Sequence, residues 1–554
     1  MKTKKRILIV GGVAGGASAA AKARRVNESA EIHVFERGPY ISFANCGLPY
    51  HIAGEIADRA QLVVMTPERF KSRSEVMAHT GHEVLAIHRD RKTITVRDSA
   101  GREREEHYDK LILSQGARPF VPPLPGVDLP HVFTLRDIPD MDRIVDAIQT
   151  KRPQRAVVIG GGFIGLEMAE AFIHRGLQVA LVEKNPHILP LMDPDMARHL
   201  QESLPAGALE FHFNANVTGF REGAVLLEGG RELSADLVLL SAGVRAEVEL
   251  AKKAGLEIGP TGGVRTNGRM ETSDPDIYAV GDAAETIHVV SGARARIALA
   301  GPANRQGRIA GANAAGARLN FPGALGTSIV RILNMTAGFT GLSSKQATAA
   351  GFSFFTSLTR DASHAHYYPG ATPVLIKLIA EEGTGRLLGA QVVGQKGVDK
   401  RVDVLATAIT ARMSVFDLES LDLAYAPPFG SANDPINTAG FVSGHIVRGD
   451  IASVSPDSWR PSAELLLDVR DADEIEEWGR LEGAVHIPLF ELRARAVELP
   501  TDRHIVAYCQ KGQRGYLATC ALLGLGFEKV SNLRGGFLQA RLHGLPLDRT
   551  AAPR

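Results

Sequence analysis

The chain has 554 residues, more than one compact domain holds, so about three to five units with filled cores are expected. Its 63 basic and 62 acidic side chains leave a formal net charge of +1, which argues against an overall nucleic-acid footprint or attraction to an acidic membrane, and any basic site must be local. Three cysteines, Cys46, Cys509 and Cys520, are too few and too odd for a disulfide framework and point to a reducing compartment, the cytoplasm by default.

The opening MKTKKRILIVGG has a basic start but a short apolar run, so it is expected to be the first strand of the fold rather than a signal h-region or a membrane span. RILIVGGVAGGASAAAKARR then reads as strand, glycine turn and Ala-rich helix, with Gly11 and Gly16 in the outer places of a dinucleotide fingerprint and Val13 in the middle one. Glu36 ends the next strand, IHVFE, and supplies a carboxylate for a ribose. YISFANCGLPY follows with Cys46, and KTITVRD and YDKLILSQGARP alternate as strands before the proline-rich connector RPFVPPLPGVDLP. The strand-turn-helix grammar returns in AVVIGGGFIGLEMAEAF, where Gly160, Gly162 and Gly165 fit GxGxxG, and Glu183 ends the following strand. A carboxylate there favours NADH over NADPH because it repels a 2′-phosphate, a preference tempered by the adjacent Lys184. Two fingerprints with placed acids imply two dinucleotide-binding units. TSDPDIYAVGDAAE is a further strand ending in a turn with Asp282, and residues 321–441 change to mixed strands and helices, a separate α+β unit. The polar RGDIASVSPDSWRPSAE reads as a linker, after which LLLDVR restarts with a buried strand.

Five residues after Cys46, where a C-x-x-x-x-C pair would close, stands His51, so no local disulfide forms. A partner Cα must lie within about 7 Å, and Cys509 and Cys520 belong to a remote domain. A single reactive thiol has two chemical options, oxidation to a sulfenic acid or a mixed disulfide with a small thiol, while the commonest fate of a free cysteine is inert burial. On the first helix Ser18, Lys22 and Arg25 stand at i, i+4 and i+7, which puts a hydroxyl and two cations on one face.

Residues 5–445 resemble the flavoprotein disulfide reductases with two dinucleotide-binding domains. The resemblance implies FAD on the first unit, at Gly11, Gly16 and Glu36, with LILSQGARP supplying Gly116 at the turn that closes the first FAD segment and DIYAVGD placing Asp282 on the ribitol side of the flavin. It implies NADH on the second, at Gly160, Gly162, Gly165 and Glu183. SFANCGLPY looks like the active-site segment of coenzyme A-disulfide reductases, a branch that works with one cysteine. On that likeness Cys46 is the redox residue, Ser42 and Asn45 lie on coenzyme A, and the Ser18, Lys22, Arg25 stripe meets its phosphates; a solvated face is the other reading. HAHYYPG and YAPPFGSANDP resemble the segments that supply two catalytic tyrosines from the partner subunit of a homodimer, here Tyr367 and Tyr425, phenols able to protonate a departing thiolate; the other reading is aromatic core.

LLLDVRDADEIEEWGRLEGAVHIP and HIVAYCQKGQRGYLATCALLGLGFEKVSNLRGGF together resemble one rhodanese domain. Cys509 opens the loop CQKGQR before an apolar helix, and successive N–H groups of such a loop, the helix N-terminus and Arg514 stabilise a thiolate or persulfide. The six residues from Cys509 to Arg514 match the length for sulfane sulfur, since related phosphatases use a longer loop. Cys520, within YLATCALLGLGF, is expected in the core.

The expected fold class is α/β: two Rossmann-like dinucleotide-binding domains, an α+β dimerisation domain and a C-terminal α/β rhodanese domain. The expected division is 1–120 and 271–325 for FAD, 121–151 as connector, 152–270 for NADH, 326–445 for dimerisation, 446–462 as linker and 463–554 as rhodanese. The expected activity is NADH-dependent reduction of coenzyme A disulfide, coenzyme A persulfide or polysulfide through a Cys46 mixed disulfide with coenzyme A, with sulfane sulfur handled on Cys509. FAD, NADH and coenzyme A are the expected ligands, and no metal, nucleic acid or membrane partner is expected. Two rivals remain: an NADH oxidase or peroxidase cycling Cys46 through sulfenic acid, and a rhodanese sulfur carrier with a regulatory flavin domain.

Overall fold

Ile7, Leu8 and Ile9 are all fully buried, as a parallel strand covered on both faces requires. In the computed structural model, which describes residues 4–456 and 459–548, they lie on the strand Arg6–Val10 at the centre of a five-stranded parallel sheet. Its order is Ile277–Ala279, Lys110–Leu113, Arg6–Val10, Glu31–Glu36, Val76–Thr80, so a late strand completes a sheet begun at the N-terminus. Residues 1–3 and 549–554, at the ends of the expected first and last domains, and 457–458 in the expected linker lie outside the described residues.

The first helix, Ala14–Val26, buries Ala19, Ala20 and Ala23, and small residues are what its partner helix Ala300–Ala315 needs. A Cβ at Gly311 of that partner would stand 2.1 Å from the Ala19 carbonyl oxygen, so only glycine lets the two backbones approach so closely. The second parallel sheet has the order Glu210–His212, Gln178–Val182, Arg155–Ile159, Leu237–Leu240, Val132–Phe133. Val132–Phe133 and the helix Ile138–Lys151 both fall in the stretch expected as connector, because the proline run ends before them.

These two sheets belong to one compact unit, Met1–Pro190 with Pro205–Ser328; the other is Leu191–Leu204 with Ile329–Arg554. The second unit contains a five-stranded sheet ordered Ser328–Ile332, Met335–Gly341, Leu387–Gly394, Pro373–Glu381, Phe354–Ala362, whose last four strands pair antiparallel. It also contains the parallel sheet Ala452–Val454, Val530–Leu533, Ile505–Tyr508, Leu465–Asp468, Val485–His486. Ala452–Val454 lies inside the stretch expected as a linker; as a short edge strand it needs no apolar alternation and leaves no hydrophobic signal.

The excursion Leu191–Leu204 carries the helix Pro194–Glu202 into this second unit. Buried Lys377 holds Asp193 and Asp195 there, each at 2.9 Å, and Gln539 Nε2 donates to Asp195 at 2.8 Å. Burial alone would discharge Lys377, but the two carboxylates hold it above its ordinary value. Burial likewise pushes Asp193 up, and Lys377 with Ser344 more than reverses this. Among the described residues no helix is long and apolar enough to cross a membrane.

Candidate active site

Each nucleotide-type turn leaves its strand through a glycine in the left-handed region, Gly11 at φ +94° and Gly160 at φ +107°. A Cβ at Gly16 would stand 1.9 Å from the Gly11 carbonyl oxygen, and one at Gly165 1.9 Å from that of Gly160, so both helices start hard against their turns. The middle positions differ as the sequence implies: Val13 caps the first helix, whereas a Cβ at Gly162 would meet nothing within 4 Å. The acids behave alike in the two units. Glu36 accepts from the N–H groups of Gly12 and Gly38, both at 2.8 Å, and Glu183 accepts from those of Gly161 at 2.7 Å and Asn185 at 2.8 Å. Their carboxylate oxygens keep lone pairs for a ribose, Glu36 half-buried and Glu183 buried.

Beside the first turn the chain leaves polar atoms without partners. Gln115 Oε1 and Arg296 Nη1 are buried and make no hydrogen bond, and the space over Gly116 is open. Asp282 stands at the end of the strand Ile277–Ala279; burial pushes its carboxyl up, and Arg296 and Arg136 draw it partly back. Unsatisfied donors and acceptors around an open glycine turn fit a large polar cofactor such as FAD. Gln115 and Arg296 carry no motif, and only their orphaned atoms reveal them.

Cys46 lies on the single turn Asn45–Gly47 that leads into the helix Leu48–Ala53. It is exposed, which removes the reading of an inert core cysteine. Its neighbours still crowd it on the protein side, and this partial desolvation, followed by the carboxylates of Glu167 and Asp282, pushes the thiol above its ordinary value. Asn45 Oδ1 is 3.9 Å from Sγ. Ser42, four residues earlier, holds φ +44°, a left-handed conformation rare for serine, while its N–H donates to the Gly12 carbonyl at 2.9 Å and so ties this segment to the first glycine turn. His51, which occupies the place of a second cysteine, is committed elsewhere: Nδ1 lies 2.7 Å from the Ile56 carbonyl oxygen. On the first helix Ser18 bonds Asn304 at 2.6 Å, Lys22 is half-buried and Arg25 exposed. The neighbouring helix adds exposed Arg305 and Arg308, two cations the sequence did not single out because they fall in no motif.

The two tyrosines, 58 residues apart, meet: Tyr367 OH and Tyr425 OH lie 3.1 Å from each other. They are 68% and 47% exposed, so neither is a core aromatic. The bond to Tyr425 holds the Tyr367 phenol above its ordinary value.

Cys509 is its opposite in setting, 2% exposed, at the end of the strand Ile505–Tyr508. The Gly512 N–H donates to its Sγ at 3.1 Å, and Gly512 itself, at φ +102°, caps the helix Gln513–Gly524. NLRGG closes the cradle from behind: a Cβ at Gly536 would stand 2.2 Å from the Cys509 carbonyl oxygen, which accepts from Phe537 N–H at 2.8 Å. Arg514 bonds Asp471 at 2.8 Å and Glu474 at 2.6 Å; burial pulls it down, but Glu474, Cys509 and Asp471 together hold it above its ordinary value. The DVR motif has a role that spacing did not disclose. Arg470, fully buried with Asp468, donates to Gln510 Oε1 at 2.9 Å and so fixes the first residue after the cysteine. Cys520 is exposed rather than core: the buried positions of its helix are Gly515, Ala518, Thr519 and Leu522, and residue 520 falls off that face.

What these parts share is chemistry at sulfur driven through a dinucleotide site, which defines an oxidoreductase of the two-nucleotide-domain class with a sulfur-carrying appendage. Residues 5–307 match the pyridine nucleotide-disulphide oxidoreductase family, 327–434 its dimerisation domain and 457–541 the rhodanese-like domain. The chain belongs to the pyridine nucleotide-disulphide oxidoreductase family. It is 37% identical over 442 residues, 78% of this chain and 98% of the relative, to a CoA-dependent NAD(P)H sulfur oxidoreductase of Pyrococcus furiosus. The solved structure of reduced CoADR-RHD from Bacillus anthracis is 43% identical, covers 98% of both chains and superposes with a TM-score of 0.95. That of an NAD-dependent persulfide reductase from A. fulgidus is 36% identical, covers 96% of this chain and 99% of its own, with a TM-score of 0.91.

Proposed function

We propose that this protein is an NADH-dependent flavoprotein that reduces coenzyme A-linked sulfur, disulfide or persulfide, with the rhodanese domain handling sulfane sulfur on Cys509. The observation that carries the reading is a solvent-exposed Cys46 without a second cysteine beside it, in a chain whose other candidate sulfur is buried and accepts from the Gly512 N–H. FAD, when bound, supplies the two-electron relay from NADH. Gly11, Gly16, Glu36, Gly116 and Asp282 would hold it, with Gln115 and Arg296 satisfied by it. Gly160, Gly162, Gly165 and Glu183 would hold NADH, and Ser18, Lys22, Arg25, Ser42 and Asn45 coenzyme A.

The Cys46 thiolate attacks the carrier-side sulfur of coenzyme A persulfide; the S–S bond breaks, hydrosulfide leaves and a Cys46–coenzyme A mixed disulfide forms. Two electrons then return both sulfurs to thiolates. Tyr367 and Tyr425, as neutral phenols contributed across a homodimer, protonate the departing thiolate; their mutual hydrogen bond and exposed position support this. The three likenesses to sulfur-reducing proteins and the rhodanese-like match favour this over peroxide or oxygen chemistry.

The mass carried by Cys46 in the purified, non-reduced protein tests the reading. A coenzyme A adduct is expected, and a single added oxygen would count for the sulfenic-acid cycle instead. Anaerobic NADH consumption with coenzyme A disulfide or polysulfide is expected to persist, and dependence on oxygen or peroxide would sink the proposal.

A further inference from the structure

Within the second unit lies a cavity of about 660 Å³ that borders the Cys509 loop but has no cysteine in its lining. Its walls come from the helix Pro194–Glu202, the strands Phe354–Ala362 and Pro373–Glu381, the helix Gly536–Leu542, and Gln510 and Lys511, the two residues that follow Cys509. Three cations, Arg360, Lys511 and Arg541, line it against one carboxylate, Glu202. Arg541 bonds Glu202 at 2.8 Å, yet its Nε is buried with no partner. Arg360 makes no ion pair among the described residues, and its Nε is likewise buried and unpartnered. Lys511 is exposed and makes no ion pair there either. Leaving a desolvated guanidinium without an acceptor is costly, and proteins rarely do so without a ligand to satisfy it. The positive potential registers on His199, which burial and then Arg360 and Arg541 hold down to about 4, so it lines the cavity as a neutral imidazole. The volume is that of a small-molecule site and far exceeds what an inorganic ion needs. Trp478, with the Arg541 guanidinium 5.8 Å from its ring centroid, supplies a flat apolar wall.

We propose that this cavity is a second anion site, separate from the stripe on the first helix, for a nucleotide-sized molecule that carries phosphoryl groups, coenzyme A being the member to bind. The choice of coenzyme A rests on the reading of Cys509 as a sulfane-sulfur residue; the anion site itself stands on the geometry. Docked there, a carrier would have its phosphates on Arg360, Arg541 and Lys511, beside the loop that Cys509 opens.

Trp478 is one of two tryptophans in the chain, so its emission reports on this cavity. Coenzyme A titrated into the holoenzyme is expected to give a saturable emission change that Trp478→Phe abolishes. Arg360→Gln should weaken the apparent affinity about tenfold or more, the loss of one charge-assisted contact, and Lys511→Gln by less. Lys511 is exposed, so its variant keeps the test valid even if Arg360→Gln fails to fold. Adenosine 3′,5′-bisphosphate should reproduce the titration, and pantetheine should not. No Trp478-dependent change, or affinity unaltered in both charge variants, overturns the site; inorganic phosphate binding as tightly as coenzyme A overturns its nucleotide-sized occupant. Repeating the titration on Cys46→Ser separates the two claims, because turnover there tests Cys46 while emission tests the cavity.

Discussion

The two candidate sulfurs are built on opposite terms. Cys46 is exposed, flanked by the negative fields of Glu167 and Asp282, and its thiol is pushed up. Cys509 is buried, receives a backbone N–H at 3.1 Å and has a guanidinium in its field. A buried sulfur with a fixed N–H donor and a guanidinium in its field suits an anion that stays in place, whereas an exposed thiol among carboxylates suits one that must meet an incoming partner. On the proposed function Cys509 is the holding sulfur and Cys46 the exchanging one, and that division can be broken or sharpened by substitution.

The largest effect should come from removing each sulfur alone. Cys46→Ser is expected to cut NADH-linked disulfide reduction on the order of 10³-fold or more while sparing sulfane transfer, and Cys509→Ser the reverse, read by NADH absorbance and by sulfane-sulfur release. Should either variant lose both activities, the two sites act as one and the comparison fails. Lys377→Met comes next. It leaves Asp193 and Asp195 buried without their cation, and a loss of about 3–5 kcal/mol is expected in the second unit by denaturant unfolding. Because Asp193 is held low in the wild type, its contribution is present above the unfolded carboxylate value and vanishes only as pH falls through the depressed one. In the variant burial of Asp193 is no longer offset by the cation, so acidification should neutralise it and narrow the stability gap to the wild type, with Cys46 alkylation unchanged.

Gly536→Ala is more local. Its φ of +62° and the 2.2 Å approach to the Cys509 carbonyl oxygen predict a cost of about 1–3 kcal/mol and a damaged cradle, seen as slower sulfane transfer with NADH turnover retained. Glu167→Gln should be the mildest. Removing one negative charge lowers the raised Cys46 thiol value, so alkylation near neutral pH quickens and the pH at which reactivity is lost on acidification moves down. A shift upward, or an equal change at Cys509, would contradict the assigned cause.

Both candidate nucleotide turns were legible in the sequence because much of their chemistry is local: Gly11 and Gly160 turn through their own left-handed φ, and Gly16 and Gly165 each pack against the carbonyl of the glycine five residues earlier. Cys46, His51 and the Cys509 loop were legible for the same reason. What pairing across the chain decides was not. Gln115 and Arg296 gain meaning only as neighbours of one turn, Arg470 only because Gln510 folds onto it, and Arg360 only where the helix Gly536–Leu542 closes a cavity over it. The tyrosine pair is legible only through likeness to a family, since nothing in the 58-residue separation announces a contact. Cys520 went astray because an apolar helix sequence does not say which arc faces inward until Ala518 and Leu522 are seen against the sheet.

The excursion Leu191–Leu204 bears on how the chain can be cut. A fragment ending near residue 325 would keep this loop but lose Lys377, Gln539 and the sheet that cover it. Asp193 and Asp195 would shed their cation, and Met196, Ala197 and Leu200, now buried, would face water. Such a fragment is expected to aggregate. A workable dissection must carry that loop with the C-terminal half or replace its apolar positions, and the rhodanese cannot be lifted off as a bead from a string.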